Sequence, residues 1–509
     1  IYISKMKIYL ILALSASFFL SISSLLQDKV SNITPLQALR AYYKPKLPNS
    51  ILGEVKLVKG PATKSIRNQS EIKKMFPNTY GMPIVTFEKS NLVEEKTPIN
   101  IGAYGMPIVI FEKSNLVREK TPINVGVILS GGQAPGGHNV ISGLYDGLKY
   151  IHKDSKLYGF KGGSSGLVNH DYIELTDDII DQYRNTGGFD IIGSGITKLE
   201  KTNQFDKGLE ICKKLGIKAI VIIGGDDSNT NACILAEYYL SKKAGVQVIG
   251  VPKTIDGDLK NEMIETSFGF DTATKVYSEL IGNIGRDANS AKKYWHFIKL
   301  MGRSASHVTL ECALKTQPNV ALIGEEVEAK NQSLEDIVNY IAKVVKARAD
   351  KGLNFGTVLV PEGLIEFIPA IKRLIQEFND MLAANKDAFD QIPPNKKDKF
   401  IVDHLSYENA KIFKSLPENL SRELILEGDL HGNVQVSLIA TEKLLADMVA
   451  QKLAKWEKQG KFKGKFATQK HFFGYEGRCA APSNFDADYC YSLGRVASLL
   501  ILNKKTGYM

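Results

Sequence analysis

Residues 219–261, AIVIIGGDDSNTNACILAEYYLSKKAGVQVIGVPKTIDGDLKN, leave little choice of architecture. The apolar run Ala219 to Ile223 reads as a buried strand. Gly224 and Gly225 permit a sharp turn, and from Ser228 the apolar residues recur with a helical period. A second strand, Val246 to Val251, ends in the polar loop Pro252-Lys253-Thr254-Ile255-Asp256-Gly257-Asp258. In open α/β sheets ligands bind outside the carboxyl ends of the strands, so two acidic loops are expected to face one crevice. Carboxylates beside glycines at a helix N-terminus suit a Mg²⁺ ion that carries phosphates, since Mg²⁺ takes one or two carboxylates plus phosphate oxygens and water. Capping alone would account for Asp226, Asp227 and Ser228, because Asp and Ser cap helices well. It does not account for a second acidic loop that also carries a lysine.

The same strand-to-loop pattern recurs along the chain. VGVIL (125–129) runs into the glycine-rich SGGQAPGGHN (130–139) and a helix through Leu148. Its spacing matches neither the dinucleotide GxGxxG nor the Walker GxxxxGK[ST], so nicotinamide and P-loop ATPase chemistry lose ground. The helix N-terminus that follows would still offer backbone N–H groups to an anion. FDIIGSG (189–195) reads as a strand, 203–215 and 270–287 as helices, and YWHFIKL (294–300) as a strand ending in MGRSASH (301–307), which opens another helix. NVALIGEE (319–326) and FGTVLVPEG (355–363) read as further strands, 364–460 as a helical insertion broken by QIPPNKKDKF (391–400), and FATQKHFFGYEGR (466–478) as a return to the sheet. NFDADYCYSLGRVASLLILN (484–503) is expected to be a helix with Asn484 as its N-cap. Alternation of this kind means parallel sheets covered by helices on both faces, in two α/β units.

The pair GGDDSNTN (224–231) and PKTIDGD (252–258), with MGRSAS and HFFGYEGR, resembles the pyrophosphate-dependent phosphofructokinases (diphosphate:fructose-6-phosphate 1-phosphotransferases) of the long type found in plants, protists and some bacteria. The likeness runs from about Thr34 to the last residue. It implies two doubly wound, Rossmann-like domains with a helical insertion at about 364–460: residues 122–265 for pyrophosphate and Mg²⁺, and 266–509 for fructose 6-phosphate. It further implies that Asp226 binds Mg²⁺, that Asp256 is the base for the sugar hydroxyl, and that Gly131 approaches the pyrophosphate. ATP-using relatives carry glycine at the positions of Asp227 and Lys253, so a carboxylate and an ammonium there favour pyrophosphate over ATP. Thr254 and Ile255 are implied substrate-binding residues, and Met301, Gly302, Glu362, Tyr475, Glu476 and Gly477 implied fructose 6-phosphate contacts, with the guanidinium groups of Arg303 and Arg478 suited to hold its phosphate. Lys293 and Tyr294 are implied to reach in from a neighbouring subunit, which makes the active unit at least a homodimer, or a hetero-oligomer with a related subunit.

The expected reaction is reversible, Mg²⁺-dependent phosphoryl transfer from pyrophosphate to the 1-hydroxyl of fructose 6-phosphate, serving glycolysis and gluconeogenesis. The alternatives are an ATP-dependent 6-phosphofructokinase, against which Asp227 and Lys253 argue, and a non-catalytic regulatory subunit, against which the intact Asp226, Asp256 and Arg303 argue.

At 509 residues the chain exceeds one ordinary core, and its net charge of +10 suits anionic substrates. Lys455, Lys458, Lys461, Lys463 and Lys465, interleaved with Trp456, Phe462 and Phe466, could form a nucleic-acid patch, but no nucleic-acid fold signature accompanies them and no nucleic-acid partner is expected. Five widely spaced cysteines lack the close pairs of zinc sites and read as reduced thiols in a cytoplasmic protein. Against that location, Lys5 and Lys7 precede an uncharged stretch, residues 8–27, that reads as a signal sequence or weak anchor diluted by five serines. The expectation is a dispensable leader and no membrane association, since the resemblance starts only at TPLQALRAYYKPKLP (34–48). Residues 28–121 form an N-terminal extension. Within it, YGMPIVTFEKSNLVEEKTPINIG (80–102) recurs at 104–126 with changes only at Thr86/Ile110, Glu94/Arg118 and Ile101/Val125. Two copies are too few for a solenoid. The second copy is expected to lead into the sheet and the first to loop out or lie unpaired on the surface. The chain stops at LNKKTGYM, where the family continues, which reads as a truncated carboxyl terminus.

Overall fold

A computed structural model describes residues 39–52, 55–89, 121–259, 264, 266–425 and 439–509. The leader and residues 90–120 of the duplicated stretch lie outside these. Among the described residues no helix is long and apolar enough to cross a membrane.

Strands β1 (Val55–Ala62) and β2 (Pro83–Lys89) form a two-stranded antiparallel sheet. Part of the first repeat copy is therefore paired, contrary to expectation. The reason is local: Val85 and Phe87 alternate onto one face and are buried in the main core, which fixes the register. Asn124 of the second copy opens β3 (Asn124–Leu129), as expected.

The first α/β layer has β3 at its centre, with β4 (Leu157–Phe160), β5 (Tyr172–Leu175), β6 (Ile217–Gly224) and β7 (Gln247–Pro252) in the order β5-β4-β3-β6-β7; only β5 runs antiparallel. The alternation within β6 explains its two-sided burial. Val221 and Ile223 join one core with Val140, Leu144, Leu493 and Leu500, while Ile220 and Ile222 join another with Leu209 and Leu235. The second layer is wholly parallel, built from β8 (Trp295–Leu300), β9 (Val320–Ala321), β10 (Gly356–Pro361) and β11 (Thr468–Phe473) in the order β11-β8-β10-β9. Its Trp295, Phe297, Val358 and Val360 share a core with Ile371, Phe378, Ile401, Phe413, Leu445 and Val449 of the helical insertion.

Three expectations need correction. FDIIGSG is not a strand: β3 already has β4 and β6 as neighbours, Gly188 and Gly193 take positive φ (82° and 65°), and the segment's β-type pairing with the sheet is limited to one Ser130–Gly195 bridge. NVALIGEE yields only the two-residue β9, because Glu325 and Glu326 start the helix Gly324–Ala329, where acidic residues complement the N-terminal dipole. The last long helix, Asn484–Leu502, is capped by Ser483, whose Oγ accepts from Asp486 N, and not by Asn484. That helix also leaves the second layer and packs on the helix Gly137–Ile151 of the first.

Candidate active site

In both sheets the strand order reverses direction beside the central strands, and such switch points open a crevice at the strands' carboxyl ends. The crevice here is a cavity of about 370 Å³, and its lining follows six strand ends in turn. Gly131 and Gly132 follow β3, Asp226 and Asp227 follow β6, and Lys253, Thr254, Asp256 and Asp258 follow β7. Met301, Arg303 and Ser304 follow β8, Glu362 follows β10, and Tyr475 and Arg478 follow β11. Asp226 and Asp227 form the first turn of the helix Asp226–Ser241.

Asp256 is 8% exposed. Burial holds its carboxyl above the usual carboxylate range, opposed by Arg478, while Asp258 adds to the rise. Its Oδ1 lies 3.5 Å from Arg478 Nη2, and its Oδ2 accepts from Arg303 N at 3.3 Å. The turn that carries it is fixed from within and without. Asp256 N donates to Thr254 Oγ1 (3.0 Å), Gly257 needs its φ of 71°, and His307 Nδ1 lies 2.8 Å from Gly257 O. Lys253 is buried, and desolvation, reinforced by Arg478, lowers its ammonium to about 8; Asp256, Asp258 and Asp226 pull the other way. A Cβ on Gly131 would sit 3.7 Å from Lys253 Nζ, and Gly131 itself has φ 77°, so the loop after β3 closes directly over this ammonium.

Asp226 and Asp227 are both exposed; 74% of the Asp227 side chain is accessible, and Lys198 Nζ stands 3.5 Å from its Oδ1. Lys198 belongs to the segment after the misread FDIIGSG, and Leu199 N donates to Asn231 Oδ1 at 2.6 Å to pin that segment on the Asp226–Ser241 helix. Arg478 Nη1 donates to Gln133 O at 3.0 Å and so ties the second layer to the glycine-rich loop. Glu362 accepts from Gly302 N at 2.9 Å, and burial raises its carboxyl.

Of the residues singled out in the sequence, Ile255, Gly302, Glu476, Gly477, Lys293 and Tyr294 do not line the cavity. Four of them support it. Ile255 is fully buried beneath the loop, and Gly302 takes φ 133° so that its N–H meets Glu362. Glu476 Oε2 accepts from Gly474 N (2.8 Å), and a Cβ on Gly477 would come within 2.5 Å of the Tyr277 ring. Lys293 and Tyr294 precede β8, at the opposite end of the sheet from the cavity. Sequence reasoning did not assign binding or catalytic roles to Gly132, Gly225, Ser228, Asp258, Leu259 or Ser304, which do line it. Each lies in the same strand-end loop as an assigned residue, so the signal was the loop as a whole.

The lining holds five carboxylates (Asp226, Asp227, Asp256, Asp258, Glu362) against three cations (Lys253, Arg303, Arg478). A site for anionic phosphates with that surplus of negative charge fits a divalent cation, and oxygen donors without His or Cys fit Mg²⁺. With a buried base, a buried ammonium and two guanidinium groups, the arrangement can deprotonate a hydroxyl beside a bound phosphate.

Residues 124–501 match the family model described as Phosphofructokinase. A Porphyromonas gingivalis protein named pyrophosphate–fructose 6-phosphate 1-phosphotransferase is 60% identical over 474 residues, spanning 93% of this chain and 82% of that one. The beta 1 subunit of the same-named protein in Arabidopsis thaliana is 47% identical over 482 residues, spanning 94% of this chain and 80% of its own. Among solved structures, a pyrophosphate-dependent phosphofructokinase from Nitrosospira multiformis superposes with a TM-score of 0.52 over 76% of this chain and 78% of that chain. Its 17% identity speaks to the fold alone.

Proposed function

Because this chain belongs to the phosphofructokinase family, we propose that it transfers a phosphoryl group from pyrophosphate to the 1-hydroxyl of fructose 6-phosphate. The observation that carries this reading is that Asp227 and Lys253, the two side chains that set the sequence apart from ATP-using relatives, line the same cavity as the buried Asp256.

Asp256 accepts the proton of the attacking hydroxyl; desolvation makes it a stronger base than a surface aspartate. The nearby Arg478 guanidinium and the Arg303 N–H keep it ionised and aimed. Arg303 and Arg478 hold the sugar's phosphate, and Tyr475, Met301 and Glu362 shape the space for the ring. Lys253, in a dry setting beside Gly131, stabilises charge on the transferring group. Asp227 sets bulk and negative charge where a longer phosphate chain would run. Asp226 and Asp258 are the residues that would hold Mg²⁺, which supplies charge neutralisation on the phosphates when bound. Lys293 and Tyr294 serve the cavity of a neighbouring subunit, in a homodimer or with a related chain, and the five free cysteines fit a cytoplasmic setting.

The test is a coupled assay of the purified protein with fructose 6-phosphate and Mg²⁺, supplying either pyrophosphate or ATP and running the reaction in both directions. Turnover with pyrophosphate that exceeds turnover with ATP is expected. Equal or better use of ATP rejects the donor assignment, and inactivity with both rejects the enzyme reading.

A further inference from the structure

The lysine and aromatic run at 455–466 plays no part in the chemistry above, and its residues part company in the fold. Phe462 is buried and Phe466 packs against the second core, so neither offers a face on which a nucleic-acid base could stack. Trp456 instead lines a second cavity, of about 630 Å³, which also takes in Lys452 from its own helix Thr441–Lys458. The opposite wall comes from the loop after the helix Gly324–Ala329 and from the helix Leu334–Ala349, which presents Tyr340 and Lys343.

The lining carries three ammonium groups, Lys330, Lys343 and Lys452, against one carboxylate, Asp336. Asp336 is already committed: it accepts from both Ser333 N (2.9 Å) and Ser333 Oγ (2.6 Å) in the capping box that starts its helix. Lys330 pairs with Glu326 and Lys452 with Glu335 at 3.3 Å, both partners standing outside the lining. Lys343 makes no ion pair with any described residue. Amides from Asn331 and Asn339 add neutral donors and acceptors. Two aromatic faces, amides and a surplus of ammonium groups in a space of small-ligand size match a ring bearing a phosphate.

We propose that this cavity is a second ligand site, which binds a small phosphorylated ring metabolite with its ring against Trp456 and Tyr340 and its phosphate on Lys343 and Lys452. The chain has two tryptophans, and the other, Trp295, is fully buried at the start of β8. Intrinsic fluorescence of the full chain therefore reports on this cavity through Trp456. The experiment titrates the protein with fructose 1,6-bisphosphate, AMP and inorganic phosphate, in the parent and in Lys343→Ala and Trp456→Phe. A saturable change in emission is expected with at least one of the two ring phosphates, and which one responds tells a sugar from a nucleoside. Lys343→Ala, an exposed helix position, is expected to weaken that binding about tenfold, the effect of losing one charge-assisted contact, with its thermal midpoint unchanged. Trp456→Phe is expected to abolish the signal. The proposal is overturned if neither ring phosphate changes the emission, if Lys343→Ala binds as the parent does, if the signal survives in Trp456→Phe, or if inorganic phosphate binds as tightly as the ring compounds.

Discussion

At Asp256 two pressures oppose each other: burial favours the protonated acid, and Arg478 with the Arg303 N–H favours the anion. Removing the carboxylate while keeping a small polar group should leave sugar-phosphate binding near normal and lower kcat by about 10²-fold or more, the usual contribution of a general base. Steady-state kinetics of Asp256→Ser check this, and nearly full turnover would reduce Asp256 to a turn residue. The pH profile carries the same information. Lys253, lowered to about 8, loses its charge first as pH rises, so kcat/KM for pyrophosphate should fall above about pH 8, while the acid limb should sit above the ordinary aspartate range. Lys253→Arg, charged throughout, should remove the alkaline limb even if it is slower. For donor choice, Asp227→Gly should raise the ratio of ATP to pyrophosphate efficiency. Lys198→Ala, which leaves the Asp227 charge less neutralised, should shift it the opposite way and by less than about fivefold, because an exposed pair contributes only about 0–1 kcal/mol. A donor ratio unchanged in Asp227→Gly would show that its carboxylate does not discriminate.

Among the elements, the helix Phe270–Ala291 depends on a residue more than 200 positions away. Asp486, fully buried, accepts from Gly269 N and Thr272 N, both at 2.9 Å, and from Thr272 Oγ1, and so satisfies the free donors at that helix's start. Asp486→Ala strands those donors and should cost about 3 kcal/mol or more, read from denaturant unfolding. The sign of the pH effect follows from the raised pKa. Burial lifts Asp486 from 3.8 to about 6, so the folded state holds its proton more tightly than the unfolded chain. Protonated Asp486 therefore favours the fold below about pH 4, and that advantage is lost as pH rises through about 6 and the buried carboxyl ionises. In Asp486→Asn this part of the slope should vanish, a difference on the order of 3 kcal/mol across the window. Parallel slopes in the two proteins would mean that Asp486 titrates normally.

On the scale of the whole molecule, the cavity exists because both sheets present their carboxyl ends to it, and because the last helix crosses back to lie on the first layer. Lys293 and Tyr294 stand at the amino end of β8, where their own cavity is out of reach along the strand. If they complete a neighbour's site across a two-fold axis, Tyr294→Ala and Asp256→Ser should each be inactive alone. Refolded together they should recover roughly a quarter of the parent activity, since each mixed dimer holds one site free of both changes. Full activity of Tyr294→Ala alone would place Tyr294 outside the site, and no recovery on mixing, with dimers demonstrated, would show that it does not complete a neighbour's site.

The sequence by itself determined the strands, because runs such as Ala219–Ile223 and Val125–Leu129 are apolar on both faces and only a sheet covered on both sides buries them. It also determined the chemistry of the loops that follow, since glycine, acid and lysine at a strand's end act through local geometry. It misjudged FDIIGSG and NVALIGEE, whose apolar runs meet the local criteria for strands; what they lacked was a free sheet edge or the length to use one. The capping of Phe270–Ala291 by Asp486, the Lys198–Asp227 pair and the return of the last helix rest on contacts between distant parts of the chain. Such contacts are set by how covered sheets pack, and no local pattern encodes them. Burial then decided the reactivity: the same aspartate and lysine on a surface loop would keep ordinary acidities, and enclosure between two layers makes Asp256 a stronger base and Lys253 a cation poised near neutrality.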